Sequence, residues 1–370
     1  MKLDADTAEM VAILRAPERT VGWRDTDWSR LVGAARGANL LGALAERLHC
    51  AGIQPAAAAR RHLDGARQLS ERQRLSVVWE AHGLRSVLAG LDVPVVLLKG
   101  AAYVLAYPEF ARGRLFGDID VLLPRSVLAE VESQLMLNGW ASAKPDAYDQ
   151  RYYREWMHEL PPMVNVRRGT VLDVHHTILP LTARNTPDPA AIIGRSLPVE
   201  GLAGLRVPCP EDLVVHSITH LMYEGELHNG LRDLHDIDAM LRSFSVRPDF
   251  WSRLAATAAD NDLAAPVANG LRLAARVFDS PVPAQVLARL DDGSHRRTYR
   301  LLEPLYMLAL QSPQTTRPRL PVRLARLAIY LRGHWLRMPL PQLLRHLAVK
   351  AWKGARAAPG ATPPELNAPP

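Results

Sequence analysis

Two aspartates, Asp118 and Asp120, are separated by one residue in the otherwise apolar segment Leu115–Leu123. Because side chains of a β-strand alternate between its faces, both carboxylates point one way while Ile119 and Val121 point into the core. Two like charges beside a core raise each other's pKa unless a cation or a basic partner stabilises them. Mg²⁺ suits the pair because it prefers oxygen ligands and is often shared with substrate phosphates. The alternative is a strand end that carries two solvated acids.

A candidate phosphate-binding turn precedes these acids. Val93–Leu98 reads as a short buried strand, Gly100 as part of a turn, and Ala101–Ala106 as a helix. The free backbone N–H groups at a helix start favour anions, and a glycine lets a phosphate approach the backbone. Lys99 would add a positive charge.

A third acid follows in another β-rich segment, Thr170–His176. Alternation places Asp173 and His175 on one face and Leu172 and Val174 on the other. If this strand lies beside the Asp118 strand, three carboxylates converge near one phosphate site.

The order of strand, Lys-Gly turn, helix, Asp-x-Asp and a later single Asp resembles the DNA polymerase β-type nucleotidyltransferase superfamily. Leu98–Ala101 together with Arg112, Arg114 and Asp118–Asp120 looks like its poorly characterised bacterial branch. The resemblance covers roughly residues 90 to 240. The superfamily's usual Gly-Ser after the first strand is Lys99-Gly100-Ala101 here, so the hydroxyl that commonly touches the triphosphate is missing.

The resemblance implies a metal-dependent transferase with an NTP donor, for which we expect ATP. Asp118 and Asp120 would hold the metal ions, Mg²⁺ or alternatively Mn²⁺, that bridge the phosphates of the nucleotide. Asp173 would complete one metal site and orient or deprotonate the attacking hydroxyl. In a two-metal displacement, one ion activates the nucleophile and the other stabilises the leaving pyrophosphate.

Four residues are the candidates for binding the nucleotide phosphates: Lys99, Gly100, Arg112 and Arg114. Guanidinium groups bind phosphate oxygens in pairs, which favours the two arginines. The alternative for each arginine is solvation or an ion pair with a nearby acid.

Two helices follow, over Glu211–Leu221 and Leu231–Leu241. The resemblance suggests that His220 and Asp233 face the nucleotide cleft from an accessory helical region. His216 and His220 share a helix face at a spacing that zinc sites also use, but no cysteine or metalloprotease glutamate accompanies them. The competing interpretation is that the histidines pack between helices, with Asp233 or Asp236 as hydrogen-bond partners.

The predicted fold is α/β (α+β), with a small mixed-sheet nucleotidyltransferase core between helical regions. A chain of 370 residues suggests several domains. Two distant cysteines fit a reducing cytoplasm, and neither a signal peptide nor a membrane span is expected. The predicted divisions are a helical cap (1–90), the catalytic core (91–180), a helical accessory domain (181–290), a basic helical region (291–356) and a disordered tail (357–370).

Positive charge is concentrated near the C-terminus. From Gly293 to Pro364 there are thirteen Arg and Lys residues against one acid, Glu303, a net of +12, so the rest of the chain has −5 of the total +7. Arg319, Arg323 and Arg326 recur at helical spacing among leucines, as in a basic amphipathic helix that could sit on anionic lipid at the inner membrane surface. The alternative is a helix with a solvated basic face. Nucleic acid is not an expected partner, since no recognised binding motif accompanies the charge.

Two classes of function therefore follow from the sequence. The first is transfer of a nucleoside monophosphate from an NTP to a hydroxyl or similar acceptor on a small molecule, peptide or protein. The second is a non-catalytic nucleotide-binding or scaffold protein with the same fold, and a phosphotransferase could use the same metals. Aromatic and polar residues between 141 and 169, including Tyr152, Tyr153 and Glu159, could line an acceptor pocket or simply pack together.

Overall fold

A seven-stranded mixed sheet carries the acidic segments in the computed structural model, which describes residues 2–291, 293–312 and 319–344. The strands are β1 (Val95–Leu97), β2 (Asp118–Leu122), β3 (Trp140–Ser142), β4 (Met163–Asn165), β5 (Val171–His175), β6 (Leu197–Pro198) and β7 (Leu205–Val207). Their order across the sheet is β3-β4-β5-β2-β1-β7-β6. The mixed α/β fold expected from the sequence is confirmed.

The two acidic strands are neighbours. β2 pairs in parallel with β5, in a register that sets Asp120 beside Asp173 and Leu122 beside His175. β1 pairs antiparallel with β2 on its other side. Side chains at paired positions of parallel strands lie on the same face of the sheet, so the acids of both strands face the same way.

The sheet extends past residue 180, where the predicted catalytic core ends. Two short segments between residues 181 and 210 are strands: β7 pairs in parallel with β1, and β6 pairs with β7. Strands of two and three residues are too short to produce a readable alternation of apolar and polar residues. The domain boundaries themselves stay a prediction.

Helices surround this sheet. They are α1 (Ala5–Arg15), α2 (Asp25–Gly37), α3 (Leu41–Cys50), α4 (Ala57–Val87), α5 (Lys99–Ala106), α6 (Pro108–Ala111), α7 (Leu128–Leu137), α8 (Ala147–Trp156), α9 (Pro189–Arg195), α10 (Pro210–Tyr223), α11 (Gly230–Phe244), α12 (Phe250–Asp260), α13 (Ala264–Phe278), α14 (Ala284–Leu290), α15 (Ser294–Ala309) and α16 (Leu320–Arg337). One buried apolar cluster runs from Met10 in α1 to Ile329 in α16, so the terminal helices share a core with the sheet.

Two further sequence predictions concern the predicted disordered tail and membrane-spanning helices. The predicted disordered tail, 357–370, lies outside the described residues. Within the described ranges, none of the helices is long and apolar enough to cross a membrane.

Side chains of the long helix α4 accept hydrogen bonds from the loops that precede β2 and β5. The Glu80 carboxylate is buried and accepts hydrogen bonds from Arg168 Nε at 2.6 Å and Nη2 at 2.9 Å, and from Thr170 Oγ1 at 2.6 Å. Gln73 Oε1 accepts a hydrogen bond from the backbone N–H of Phe116 at 2.8 Å. These contacts hold the residues immediately before β5 and β2 in place.

Helix α10 joins the sheet region to the C-terminal helices. It is buried along nearly its whole length and packs against α11, α12 and α13. The hydroxyl groups of Tyr103 in α5 and Ser217 in α10 lie 2.9 Å apart. The helix that follows the Lys-Gly turn is thereby tied to the helix that carries His216 and His220.

We expect the close approach of α3 to the loop before β2 to be sensitive to a single methyl group. Gly113 has a φ of +72°, and a Cβ there would lie 2.3 Å from the carbonyl oxygen of Gly42. Gly113→Ala should therefore lower the free energy of unfolding by more than about 1 kcal/mol, since both the backbone conformation and the contact are unfavourable. Chemical denaturation measures this change.

Gly65→Ala is the matched control, because Gly65 lies within α4 and a Cβ there would have no atom within 4 Å. This change should stabilise the protein by about 0.5–1 kcal/mol through the better helix propensity of alanine. Equal stability of the two variants would contradict the packing described here.

Candidate active site

Asp118, Asp120 and Asp173 form a three-carboxylate group on one face of the sheet. One carboxylate oxygen from each lies within 4.8 Å of the others. The parallel register sets Asp120 beside Asp173, and strand alternation turns Asp118 to the same side. Asp120 is 3 % exposed, whereas Asp118 is exposed at the start of β2. The group is therefore buried at Asp120 and open to solvent at Asp118.

Asp120 has basic partners that stabilise its charge. Lys99 Nζ lies 3.0 Å and His175 Nε2 lies 2.9 Å from Asp120 Oδ1. Burial works against ionisation, but the charge of Lys99 and the hydrogen bond from His175 outweigh it and hold the pKa of Asp120 well below its usual range. Asp120 is accordingly the ionised centre of the group.

Nearby cations compensate the other two acids only in part. The negative charge of Asp120 raises the pKa of Asp118. Burial, followed by the charges of Glu159, Asp120 and Asp118, raises the pKa of Asp173 well above its usual range. Asp173 Oδ1 is buried and has no hydrogen-bond partner among the described residues. An unpartnered oxygen beside two further carboxylates fits the ligand set of a hard divalent cation.

Lys99 is held by the acids rather than being free in the turn. Helix α5 begins at Lys99, two residues before the predicted start, with a φ of +41° at that residue and no side-chain cap. Such a conformation is strained for a residue other than glycine, and strain of this kind concentrates at functional sites. Burial disfavours its ammonium charge, but Asp120 and Asp118 outweigh that effect and raise the pKa of Lys99.

Gly100 is needed for packing. A Cβ at this position would lie 2.6 Å from Phe116 Cδ1 and 2.9 Å from Arg114 Nη1. The space that a side chain would take is therefore filled by Phe116 and Arg114. The backbone N–H of Gly100 still lies at the start of α5.

The two candidate arginines lie in different places. Arg114 is mostly buried, its Nε donates to Asp236 Oδ2 at 2.7 Å, and its guanidinium lies over the rings of Tyr103 and Phe116 at 5.4 and 5.1 Å. Its charge still reaches Asp118, whose pKa it lowers. Arg112 is exposed, and none of the three carboxylates lines either of two cavities that it borders. The phosphate-binding role of Arg112 stays a prediction.

Helices α10 and α11 place His220 and Asp233 together. One ligand atom each from His220, Glu224 and Asp233 lies within 4.8 Å of the others, and Asp233 Oδ1 accepts a hydrogen bond from Arg232 Nη2 at 2.7 Å. Burial and the nearby charge of Lys99 lower the pKa of His220. Because Lys99 also contacts Asp120, this second group lies on the side of the carboxylates that α10 covers.

The other histidines of these helices pack in the interior. His216 is 4 % exposed, and its Nδ1 has no hydrogen-bond partner among the described residues. The ring of His235 lies edge-on to Phe278 with the ring centroids 5.7 Å apart. The His220 group of potential ligands contains Glu224 and Asp233, whereas His216 is not part of it.

Sequence reasoning assigned no role to His175 or Arg232, and it considered Glu159 only as a possible lining residue of an acceptor pocket. His175 lies between two acids: its Nε2 contacts Asp120 at 2.9 Å, and its Nδ1 lies 3.3 Å from Glu159 Oε2 without forming a hydrogen bond. Alternation along β5 put His175 on the face of Asp173, and that signal could have revealed it. Glu159 reaches the site from a non-regular segment that forms a backbone bridge to His175, for which the sequence has no local signal. The charge of Arg232 lowers the pKa of Asp118.

Comparison with known proteins identifies one family. A family model described as "uncharacterised nucleotidyltransferase" matches residues 24–279, which is more than half of the chain. Searches of the curated proteins and of the solved structures gave no match.

We predict that Asp173→Asn stabilises the protein when no divalent cation is present. An acid whose pKa is raised on folding costs stability as the pH rises from its unfolded pKa to its raised folded pKa, because the unfolded chain releases the proton there while the folded protein keeps it; above the folded pKa the cost is complete. The gain in the free energy of unfolding should be about 1 kcal/mol or more near neutral pH and should shrink as the pH is lowered. Thermal melting in a chelator at several pH values measures it.

Asp238→Asn is the control for this prediction. Asp238 is also buried, but it has an ion pair with Arg242 at 3.0 Å and accepts a hydrogen bond from Ser280 at 2.6 Å. Removing its charge should lower the melting temperature. A lower melting temperature for both variants would show that Asp173 is already stabilised within the fold.

Proposed function

Because the chain belongs to the family described as uncharacterised nucleotidyltransferases, we propose that it transfers a nucleoside monophosphate from an NTP to a hydroxyl or similar acceptor. The observation that carries this proposal is the convergence of Asp118, Asp120 and Asp173 within 4.8 Å, with one buried oxygen of Asp173 unpartnered. We expect ATP as the donor. The acceptor would be a small molecule, a peptide or a protein.

The three carboxylates would hold Mg²⁺, or Mn²⁺ in its place. Oxygen ligands suit both ions, and a divalent cation would also relieve the repulsion that raises the pKa of Asp118 and Asp173. When bound, the cation would activate the attacking hydroxyl and offset the negative charge that develops on the pyrophosphate.

Asp173 would take the proton of the acceptor hydroxyl. Its Oδ1 has no hydrogen-bond partner among the described residues, so it is available to orient the hydroxyl and accept its proton. As the acceptor oxygen forms its bond to the α-phosphorus, the bond to the bridging oxygen breaks and pyrophosphate leaves with the electron pair. His175 and Lys99 meanwhile hold Asp120 ionised and in position.

Three cations would balance the charge of the triphosphate: Lys99, Arg114 and Arg232. Each of them lowers the pKa of Asp118, so each lies within electrostatic range of the carboxylate group. The free backbone N–H groups at the start of α5 would contact a phosphate in place of the absent serine hydroxyl. Arg112 stays a candidate from the sequence, although the three carboxylates do not line the two cavities that it borders.

His220 and Asp233 would contact the nucleoside. They lie on α10 and α11, and the charges of Lys99 and Asp120 both act on His220. The ion pair between Arg232 and Asp233 fixes the direction of the Asp233 carboxylate and leaves its second oxygen available to a ribose hydroxyl.

Asp118→Asn tests the proposed reaction. Asp118 is exposed, whereas Asp120 neutralises the buried ammonium of Lys99, so substitution of Asp118 is the one that spares the fold. With Mg²⁺ and each NTP, labelled on the α- or the γ-phosphate, we expect wild-type protein to transfer the α-label to an acceptor in a cell lysate. The variant should lose at least about a hundredfold in rate because it removes charge stabilisation from the site.

Asp92→Asn, which changes another exposed acid, should keep wild-type activity. Transfer of the γ-label that depends on Asp118 would instead identify a phosphotransferase. Nucleotide binding without any transfer would indicate a binding protein that has kept the fold.

A further inference from the structure

Helix α16 has two opposite apolar faces. One packs on the protein through Val322, Ala325, Ile329 and Gly333. The other, here called the leucine face, points to solvent and consists of Leu320 (64 % exposed), Leu324 (56 %), Leu327 (52 %), Leu331 (51 %) and Trp335 (46 %). Spacings of three and four residues align these five side chains along the helix. At 100° per residue, the centres of the two faces lie on opposite sides of the helix.

The inward side of α16 is firmly attached, so the outward direction of the leucine face is fixed. A Cβ on Gly333 would lie 2.8 Å from Gly225 Cα, which means that the helix backbone rests directly on the segment after α10. Arg326 donates to the backbone carbonyl groups of Ala309 and Gln311. Arg332 donates to the carbonyl group of Met222. None of the four leucines of the leucine face belongs to the buried apolar cluster of the described residues.

An aligned row of five exposed apolar side chains is unusual for a protein surface that meets only water. Contiguous apolar patches rimmed by polar residues mark interaction sites, whereas single exposed leucines need no explanation. Exposed Leu340 and Leu344 follow α16 in the chain and extend its apolar character. The leucine face is therefore a candidate interaction site for a binding partner.

The charge around the leucine face selects that partner. Helix α16 contains four arginines and no acid, and exposed Arg319 and Arg323 lie along one flank. Against a second copy of the chain, the same arginines would face each other without any acid on the helix to pair with them. A partner that is apolar inside and negatively charged at its surface would match both the leucines and the neighbouring arginines.

We propose that the leucine face docks on an anionic phospholipid bilayer, with α16 lying in the plane of the membrane interface. The leucines would enter the boundary between headgroups and acyl chains, and the arginines would meet lipid phosphates. Trp335 lies at one end of the row under the Arg184 guanidinium, 3.5 Å from its ring centroid, and tryptophan favours the bilayer interface. This proposal does not depend on the proposed transfer reaction.

Vesicle flotation of the full chain tests the proposal. Wild-type protein should float with vesicles that contain phosphatidylglycerol and should bind far less to vesicles of phosphatidylcholine alone. The double change Leu324→Glu/Leu331→Glu should lower the partition coefficient by at least about tenfold, because it removes two apolar contacts and adds two repelling charges.

The matched control is Leu137→Glu/Leu301→Glu, which adds the same charges at leucines that are 81 % and 77 % exposed on other helices. This control should keep nearly all of the vesicle binding. The melting temperature of each variant should stay near that of wild type. The double change Leu324→Ser/Leu331→Ser removes the same apolar contacts without adding charge. It should still weaken binding to the vesicles.

Three results would overturn the proposal. The first is that wild-type protein does not bind phosphatidylglycerol vesicles. The second is that Leu324→Glu/Leu331→Glu and Leu137→Glu/Leu301→Glu weaken binding equally, which would leave net charge as the explanation. The third is a dimer, detected by light scattering without lipid and abolished by Leu324→Glu/Leu331→Glu, which would assign the leucine face to a second copy.

Discussion

The parallel pairing of β2 with β5 is the constraint on which the candidate site depends. It sets Asp120 beside Asp173 in register, and strand alternation then adds Asp118 and His175 to the same face. A shift of one residue in this register would turn the acids of one strand to the opposite side of the sheet. The contacts of α4 with the residues ahead of both strands resist such a shift.

The distribution of charge around this register divides the acids into two kinds. Asp120 is neutralised within the protein by Lys99 and His175, whereas Asp118 and Asp173 have pKa values raised by their neighbours. A protein gains no stability by keeping a buried acid without a partner, so such groups are typical of sites that bind a ligand. The site also interacts electrostatically with the helical half of the chain, because Lys99 and Asp120 act on His220 in α10 and Arg232 in α11 acts on Asp118.

Much of this arrangement follows from local sequence pattern. Alternation predicts the shared face of Asp118 and Asp120, and helical periodicity predicts α10 and α11. Other features depend on residues distant in the chain: the Arg114 pair with Asp236, the approach of Glu159 to His175, and the packing that requires Gly100. The start of α5 differs by two residues because Lys99 adopts a left-handed conformation that no local pattern signals. Periodicity also predicts an amphipathic α16, but only its packing reveals that Leu324 and Leu331 face outward.

The most direct test of the account is a crystal structure with Mn²⁺ and an ATP analogue that cannot be cleaved between the α- and β-phosphates, recorded at the manganese absorption edge. The account predicts an anomalous peak coordinated by Asp118, Asp120 and Asp173 and shared with the phosphates of the analogue. Bound nucleotide with manganese held instead by His220, Glu224 and Asp233, or with its phosphates away from the three carboxylates, would contradict it.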